Sequence, residues 1–255
     1  MSSSYKQLED TLRSLRLSET AEYLPVLLNS AKRQELSYIQ FLLEVMAYEK
    51  RRRSEKLIER RLKWAMFPVH KTLNEFSLSE QPSLTKKQFN QLSDLAWLDQ
   101  VYNLILLGPT GVGKTHLSIG LGIKAIHEGY KVTFISMGEL IHVLKTEEIT
   151  RKSQIRLKRL RDSNLIIIDD LMFMAMDQRE ANLFFHLINE LYNQSSIILT
   201  SNKGPGEWGE LLGDPAITAA ILDRLIHRAE VIQLGGDSYR LKHRSSIFNN
   251  KTVQN

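Results

Sequence analysis

Residues 108–115, with the sequence GPTGVGKT, set the strongest limit on how this chain can fold. An apolar run, NLILL at 103–107, precedes the segment, and a second apolar run, LSIGL at 117–121, follows it. This order predicts a buried strand, a glycine-rich loop and a helix, which is the setting that the phosphate-binding motif G-x-x-x-x-G-K-[ST] requires. The glycines allow backbone N–H groups to point at a polyphosphate, and the positive end of the helix attracts the same anion. The segment therefore predicts a nucleoside triphosphate site rather than an accidental glycine-rich turn.

Two side chains of this loop have specific expected roles. Lys114 is expected to reach the β- and γ-phosphates, and the Thr115 hydroxyl is expected to bind Mg²⁺. The next residue, His116, belongs to the same segment, but its chemistry does not define a role for it. The complete predicted nucleotide-binding set is Gly108, Pro109, Thr110, Gly111, Val112, Gly113, Lys114, Thr115 and His116.

A second polar group follows another apolar run, LIII at 165–168. Asp169 and Asp170 come directly after this run, and the carboxyl ends of parallel strands are where ligands bind in sheets of this kind. Asp169 is therefore expected to bind Mg²⁺, and Asp170 is expected to orient or deprotonate the attacking water. A helix N-cap or a surface acid is the alternative interpretation of Asp170.

From residue 103 onward, strand and helix patterns alternate, which predicts a parallel sheet covered by helices on both faces. One complete extra strand, Val132–Ile135, lies between Lys114 and Asp169. This favours the branch of phosphate-loop proteins in which a further strand separates the two motif strands, a branch rich in oligomeric ATPases. The predicted strands are Leu104–Leu107, Val132–Ile135, Leu165–Ile168, Ile197–Thr200 and Val231–Leu234, and the predicted helices cover 114–127, 137–145, 152–161, 178–192 and 216–227.

Two later residues are candidates to complete such a site. Asn202 follows a predicted strand, where its amide could touch the γ-phosphate or its water, although taken alone a turn asparagine is the simpler interpretation. Arg224 lies in a helical segment with Arg228 four residues later, and could neutralise the transferred phosphoryl group of a neighbouring subunit. A structural pair between Asp223 and Arg224 is an equal alternative.

Composition limits the cellular compartment and the partners that we expect for this chain. It contains no cysteine, which excludes disulfides, thiolate metal sites and cysteine nucleophiles, and fits a reducing cytoplasm. No apolar run approaches the length of a membrane span, and the first residues form no apolar signal segment. The formal net charge of +5 favours a polyanionic partner. We therefore expect a cytoplasmic protein with no membrane partner.

The 255 residues are enough for one domain of ordinary size and a smaller companion. Helical periodicity extends from about residue 5 to 66, with one apolar stripe at Leu8, Leu12 and Leu15 and another at Ile39, Leu42, Leu43 and Met46. It stops at Phe67-Pro68, because proline lacks a backbone donor and restricts the residue before it. The predicted organisation is a helical N-terminal domain at 1–66, a linker and lead-in at 67–100 that packs through Leu73 and Phe76, a nucleotide-binding domain at 101–246 and a polar tail at 247–255.

Two basic runs are candidates for contact with DNA. Residues 49–63 carry eight basic and three acidic side chains, and residues 151–161 carry six basic ones. Rows of cations on a helix suit the phosphates of a nucleic acid. A solvated helix face is the alternative for both runs, evenly weighed for the first and preferred for the second.

Taken together, these features resemble the IstB-type ATPases, which are helper proteins encoded by a family of bacterial insertion sequences. The resemblance covers essentially the full length and rests on short segments in a fixed order. These segments are LRSLRL at 12–17, SYIQFL at 37–42, KTLNEF at 71–76, GPTGVGKTHL at 108–117, LTSN at 199–202, EWG at 207–209, DRLIHR at 223–228 and GDSYR at 236–240.

The resemblance implies an α/β fold of the P-loop NTPase (AAA+) class, similar to the helicase loader DnaC and the initiator DnaA, with a five-stranded parallel sheet after a small all-α domain. It implies ATP and Mg²⁺ as cofactors, and a homo-oligomer with ATP sites at subunit interfaces. Such an oligomer would hydrolyse ATP, bind double-stranded DNA, and recruit and stimulate a separate transposase. It also implies that Lys114 and Thr115 form the Walker A pair and that Asp169 and Asp170 form the Walker B pair.

By the same resemblance, Asn202 is the sensor residue and Arg224 is the arginine finger supplied to a neighbouring subunit. Three features depart from the family pattern. Met172-Phe173 replaces a glycine–aromatic pair, and Asp170 replaces a longer glutamate. No carboxy-terminal helical lid is evident, so Arg240 is a candidate second sensor without its usual setting.

Two other functions fit parts of the sequence. A DnaC-like helicase loader would grip a replicative helicase through residues 1–66. A phosphate-loop kinase acting on a small molecule would need a substrate lid, which the sequence does not show. No acidic triad of an integrase is evident, so cutting and joining of DNA would fall to the partner.

Overall fold

The structure is a computed structural model that describes residues 3–171, 176–209 and 214–242. The chain divides into two compact units, Met1–Arg60 and Arg61–Asn255. The division falls within the third helix rather than after it. Within the described ranges, no helix is both long and apolar enough to span a bilayer.

The first unit is helical, as the sequence predicts. It consists of α1 (Ser3–Ser14), α2 (Ser18–Arg33) and most of α3 (Tyr38–Ala65). Its buried apolar residues include Ala21 and Leu24 of α2 and Val45 of α3. The rings of Tyr23 and Tyr48 stack across these two helices, with centroids 4.6 Å apart.

The apolar stripe near the start of α3 is exposed in the single chain. Ile39, Leu42 and Leu43 are 73%, 58% and 65% exposed. Val45 and Glu49, four residues apart, are the buried positions of this part of the helix instead. The sequence pattern therefore identifies the helix, but the face that the core covers is offset from the apolar stripe.

Residues 67–100 belong to the second unit and pack against its first helix after β1. They contain 3-10 turns at Leu73–Glu75 and Leu78–Glu80, followed by α4 (Lys86–Ser93) and α5 (Ala96–Asp99). Leu73 and Phe76 pack as expected: a Cβ atom on Gly120 would lie 2.7 Å from Leu73, and the Phe76 ring stacks on Phe89 with centroids 5.8 Å apart. The Phe76 ring also lies 3.1 Å from the Cβ position of Gly113, so this packing holds the segment beside the glycine-rich loop.

The second unit contains a five-stranded parallel sheet. Its strands are β1 (Asn103–Leu107), β2 (Val132–Ser136), β3 (Leu165–Asp169), β4 (Ser196–Ser201) and β5 (Ala229–Gln233). The order across the sheet is β2-β3-β4-β1-β5, and each neighbouring pair is parallel. The predicted sheet is confirmed, with strand ends within two residues of their predicted positions.

Helices pack on both faces of this sheet. They are α6 (Lys114–His127), α7 (Met137–Lys145), α8 (Arg151–Arg161), α9 (Gln178–Leu191) and α10 (Pro215–Ile226), and a short helix, α11 (Tyr239–Lys242), follows β5. A large core cluster joins one face of the sheet to α7–α10, through residues such as Leu140, Phe184 and Ile221. The sheet interior is apolar because helices cover both sides.

Strand order decides where the site forms. β4 lies between β1 and β3, and its Ser201 pairs in register with Leu107 while its Leu199 pairs with Ile168. The carboxyl ends of the three strands are therefore adjacent. This places the loop after β1, the two acids at the end of β3 and the polar end of β4 at one edge.

Candidate functional site

A cavity of about 770 Å³ opens at this edge of the sheet. Predicted residues that line it are Thr110, Gly111, Val112, Gly113, Lys114, Thr115, His116, Asp169, Asp170 and Asn202. Its remaining walls come from Thr200 and from residues 69–82, which precede β1, and residues 236–242, which follow β5. The volume lies in the range of small-molecule and cofactor sites. The two predicted motifs therefore meet around one space large enough for a nucleotide.

The glycine-rich loop needs its glycines because the end of the sheet domain presses against it. Gly108 has φ 146°, and a Cβ atom there would lie 2.0 Å from the carbonyl oxygen of Leu234. Gly111 has φ 91°, and its Cβ position lies 2.1 Å from Oγ of Ser238. The backbone N–H of Tyr239 donates to the carbonyl oxygen of Gly111 at 3.1 Å. The segment after β5 therefore fixes the loop from one side.

The Lys114 ammonium lies inside the curve of the loop. It donates to the carbonyl oxygens of Gly108 at 2.7 Å and Pro109 at 2.9 Å, two predicted residues that do not themselves line the cavity. Burial lowers the pKa of Lys114 from its ordinary value, the carboxylates of Asp170 and Asp169 act in the opposite direction, and the net shift is downward. An anion in the cavity would thus meet a partly dehydrated cation held in place.

Asp169 is fixed from two directions. The Thr115 hydroxyl lies 3.0 and 3.1 Å from its two carboxylate oxygens, and the Thr200 hydroxyl lies 2.7 Å from Oδ1. Hydroxyl and carboxylate oxygens are ligands that suit Mg²⁺, which takes one or two such groups and completes its shell with phosphate oxygens and water. In the described part of the chain, no cluster of three or more His, Cys, Asp or Glu side chains could hold a metal alone. The donor set at Thr115 and Asp169 therefore fits a metal bound together with a phosphate.

Asp170 turns the chain away from the sheet. Its φ is +61°, a left-handed value that is uncommon for a residue other than glycine, and its side chain is exposed at the cavity. Its backbone N–H donates to Oγ1 of Thr200 at 2.8 Å. Met172 and Phe173, which depart from the family pattern, lie outside the described residues.

Thr200 is the main residue that sequence reasoning missed. It is 1% exposed, lines the cavity and contacts both acids. Its signal in the sequence is weak, because a threonine at the end of an apolar strand is an ordinary strand residue. Asn202, two residues later, lies exposed at the cavity, where the sensor interpretation requires it.

His116 contacts the wall formed by residues 69–82. Its Nε2 lies 3.0 Å from the carbonyl oxygen of Thr72, and its ring meets Phe76 edge to face at a centroid distance of 5.4 Å. Gln81, which is 3% exposed, donates from Nε2 to the carbonyl oxygen of Val112 at 2.8 Å. The sequence marks neither contact, and together they fasten this segment to the loop.

Arg224 lies away from the cavity of its own chain. Its Nε donates to Oδ1 of Asn189 at 2.9 Å, its Nη1 donates to the carbonyl oxygen of Ala220 at 2.9 Å, and its guanidinium lies 4.9 Å from the Phe185 ring centroid. No salt bridge joins it to Asp223 within the described residues. Arg224 thus packs against α9 instead of forming the alternative pair with Asp223. Arg240, by contrast, lines the cavity and lowers the pKa of Lys114.

Many cations of the two basic runs have partners within the chain. In the first run, Arg53 binds Glu49 at 2.7 Å, and Lys56 and Arg52 approach Glu19. These contacts support the solvated-face interpretation for that part of α3.

In the second run, Arg156 is 5% exposed and binds Glu139 at 2.9 Å, and Arg161 binds Glu147 and Glu190. Arg159 lies over the Trp64 ring. The cations of α8 with neither a salt bridge nor a ring contact to a described residue are Arg151, Lys152 and Lys158.

Residues 10–247 match the protein family described as IstB-like ATP binding protein. The chain belongs to this family. One relative, from Pseudomonas aeruginosa, is named as an ATP-binding protein of insertion sequence IS21. It is 40% identical to this chain over 238 residues, which cover 93% of this chain and 90% of the relative. Another, from Bacteroides fragilis and named for an IS21-like insertion sequence, is 36% identical and covers 97% of this chain and 94% of the relative.

Two solved structures share the fold. DnaI has a TM-score of 0.55 at 17% identity, with 64% of this chain and 90% of that chain covered. AMPPCP-bound DnaA from Aquifex aeolicus has a TM-score of 0.52 at 22% identity, with 68% and 52% covered. The family and the predicted AAA+ fold of this IstB-like protein are thus confirmed.

The contact between Gly108 and β5 leads to a prediction about the loop. Gly108→Ala forces a Cβ atom against the backbone of Leu234 and strains a left-handed residue, so we expect a loss of about 3 kcal/mol in unfolding free energy. The melting temperature should fall by about 6–12 °C in thermal unfolding followed by circular dichroism. Gly206→Ala is the control, because nothing lies within 4 Å of its Cβ position. Equal stability of the two variants would contradict the contact.

Proposed function

We propose that this IstB-like protein is a cytoplasmic, Mg²⁺-dependent ATPase that assembles on duplex DNA and recruits a separate transposase. The observation that supports it most directly is the meeting of Lys114, Thr115, Asp169 and Asp170 around one cavity. These are the groups that phosphoryl transfer needs: a cation and backbone N–H groups for the phosphates, oxygen ligands for a metal, and a carboxylate near the attacking water.

Each group has a defined task in this proposal. Lys114 leaves the loop carbonyls and binds the β- and γ-phosphates, and Thr115 and Asp169 hold Mg²⁺. Mg²⁺ held by these two residues would neutralise phosphate charge and polarise the γ-phosphoryl group. Asp170 orients the attacking water, and Asn202 contacts the γ-phosphate or that water.

The site in this proposal is completed by a second copy of the chain. Arg224 lines no part of its own cavity, and its planar guanidinium is suited to stabilise charge on a transferred phosphoryl group. Its contacts with Asn189 and Phe185 on α9 hold it in a defined direction while leaving it partly exposed. An interface that places α10 against a neighbour's cavity would supply the missing cation.

Contact with DNA is assigned to the unpaired cations of α8. Arg151, Lys152 and Lys158 lie on one helix that begins after a Thr150 N-cap, and they have no salt bridge to a described residue. Cations already held by carboxylates release fewer counterions on binding a polyanion, which favours α8 over the ion-paired part of α3. The insertion-sequence names of the relatives suggest a transposase as the partner that the ATPase serves.

Removal of the Lys114 ammonium tests the proposed site. Lys114→Ala should weaken ATP binding by about 10- to 100-fold or more, because charge-assisted hydrogen bonds to the phosphates are lost. ATP-dependent binding to duplex DNA should be lost with it, as measured by titration with a fluorescent ATP analogue and by DNA mobility shift. Lys124→Ala, at the far end of the same helix, is the control. Unchanged cooperative DNA binding by Lys114→Ala would refute the coupling of ATP to DNA.

Mixing of two inactive variants tests whether Arg224 acts on a neighbour. Arg224→Ala should lower the ATPase rate by about 10³-fold, and Lys114→Ala should be inactive. In a one-to-one mixture, about a quarter of the interfaces join an intact nucleotide site to an intact finger, so activity should recover towards that fraction. Arg228→Ala replaces Arg224→Ala in the control mixture. A mixture no more active than its components would exclude action between subunits.

A further inference from the structure

A single buried hydroxyl lies between the end of β3, where the two acids are, and the end of β4, which Asn202 follows. Thr200 is the second-last residue of β4, pairs in register with Leu106 of β1, and is 1% exposed. On its other side, β3 ends at Asp169, one residue beyond the last β3–β4 pair between Ile168 and Leu199. The Thr200 side chain therefore reaches the point where regular pairing between these strands stops.

Both hydrogen-bonding functions of this hydroxyl are used. It donates to Oδ1 of Asp169 at 2.7 Å and accepts from the backbone N–H of Asp170 at 2.8 Å. A hydroxyl has one proton to donate, so donation to Asp169 leaves its lone pairs for the Asp170 N–H. The arrangement requires Asp169 to accept, as an ionised carboxylate does.

The two bonds act on different parts of the site. The first holds Asp169 on the side of the Thr115 hydroxyl, which lies 3.0 Å from the same carboxylate oxygen. The second satisfies the first backbone N–H beyond β3 at the residue where the chain enters its left-handed turn, with φ +61° at Asp170. That turn sets the direction in which the Asp170 carboxylate leaves the sheet.

We propose that Thr200 is a positioning residue that orients the metal-binding carboxylate of Asp169 and the water-directing carboxylate of Asp170 through one hydroxyl. It contacts neither substrate nor metal in this role. Because Asn202 comes directly after β4, a shift of β4 in response to the γ-phosphate would move the hydroxyl and both acids together. The inference rests on the proposed function of these acids.

The test compares three Thr200 variants of the full chain with two control variants. Steady-state ATP hydrolysis is measured for each, with ATP and Mg²⁺ titrated separately. Thr200→Val removes the hydroxyl at nearly constant shape, Thr200→Ser keeps it, and Thr200→Ala serves if valine packs poorly. Thr133→Val is the matched control, because Thr133 is a fully buried strand threonine whose hydroxyl binds Ser163 at 2.7 Å. Asp169→Asn reports whether the acid itself is needed.

We expect Thr200→Val to lower kcat by about 10- to 100-fold, as loss of a group that orients a metal ligand commonly does. Half-saturation by Mg²⁺ should move to higher concentration while ATP affinity changes less than about three-fold, and Thr200→Ser should stay near the wild-type values. Thr133→Val should keep the wild-type rate even where its melting temperature falls.

Four results would overturn the inference. If Asp169→Asn is slow but Thr200→Val matches the wild type, the positioning role fails and the proposed ATPase site stands. If Thr200→Ser is as slow as Thr200→Val, or Thr133→Val loses as much rate, the effect is one of packing and not of the hydroxyl. If Asp169→Asn hydrolyses ATP at the wild-type rate, both the site assignment and the inference fail.

Discussion

The pairing of β4 with β1 on one side and β3 on the other is the interaction on which the rest of the site depends. It places the carboxyl ends of three strands side by side, so that the glycine-rich loop and the two acids, separated by more than fifty residues, face one cavity. The Thr115–Asp169 contact depends on this order, since Thr115 lies at the start of the helix that follows β1, Asp169 ends β3, and both strands pair with β4. Because β4 lies between β1 and β3, there is room for a nucleotide and a metal between the two motifs.

Segments from both sides of the sheet domain close around the loop. Gln81 binds it before β1, and Leu234 and Ser238 press on it after β5, which is why Gly108 and Gly111 can have no side chain. A ligand that shifted the loop would therefore also shift the two segments that contact it. This gives a physical route from the nucleotide to surfaces that another molecule could contact.

Much of this site follows from the sequence because its main signals are local. Lys114 and Asp169 lie in short motifs directly after apolar strands, and the rule for parallel sheets brings such strand ends together. Thr200 and Gln81 could not be found this way, because their partners are distant in sequence and their residue types are ordinary where they occur. The stripe that includes Ile39 is a signal whose outcome differs from the expected one. Its apolar pattern predicts a helix, but it does not predict whether the single chain buries that face.

We propose that the nucleotide site is one half of a shared site that forms when copies of the chain meet on DNA. Mass photometry of the wild-type chain, with and without a slowly hydrolysed ATP analogue and with and without duplex DNA, measures this most directly. We predict particles of several subunits, each of 29.4 kDa, when nucleotide and duplex are both present, and mainly single chains or small oligomers otherwise. The same mass distribution under all four conditions would contradict the account.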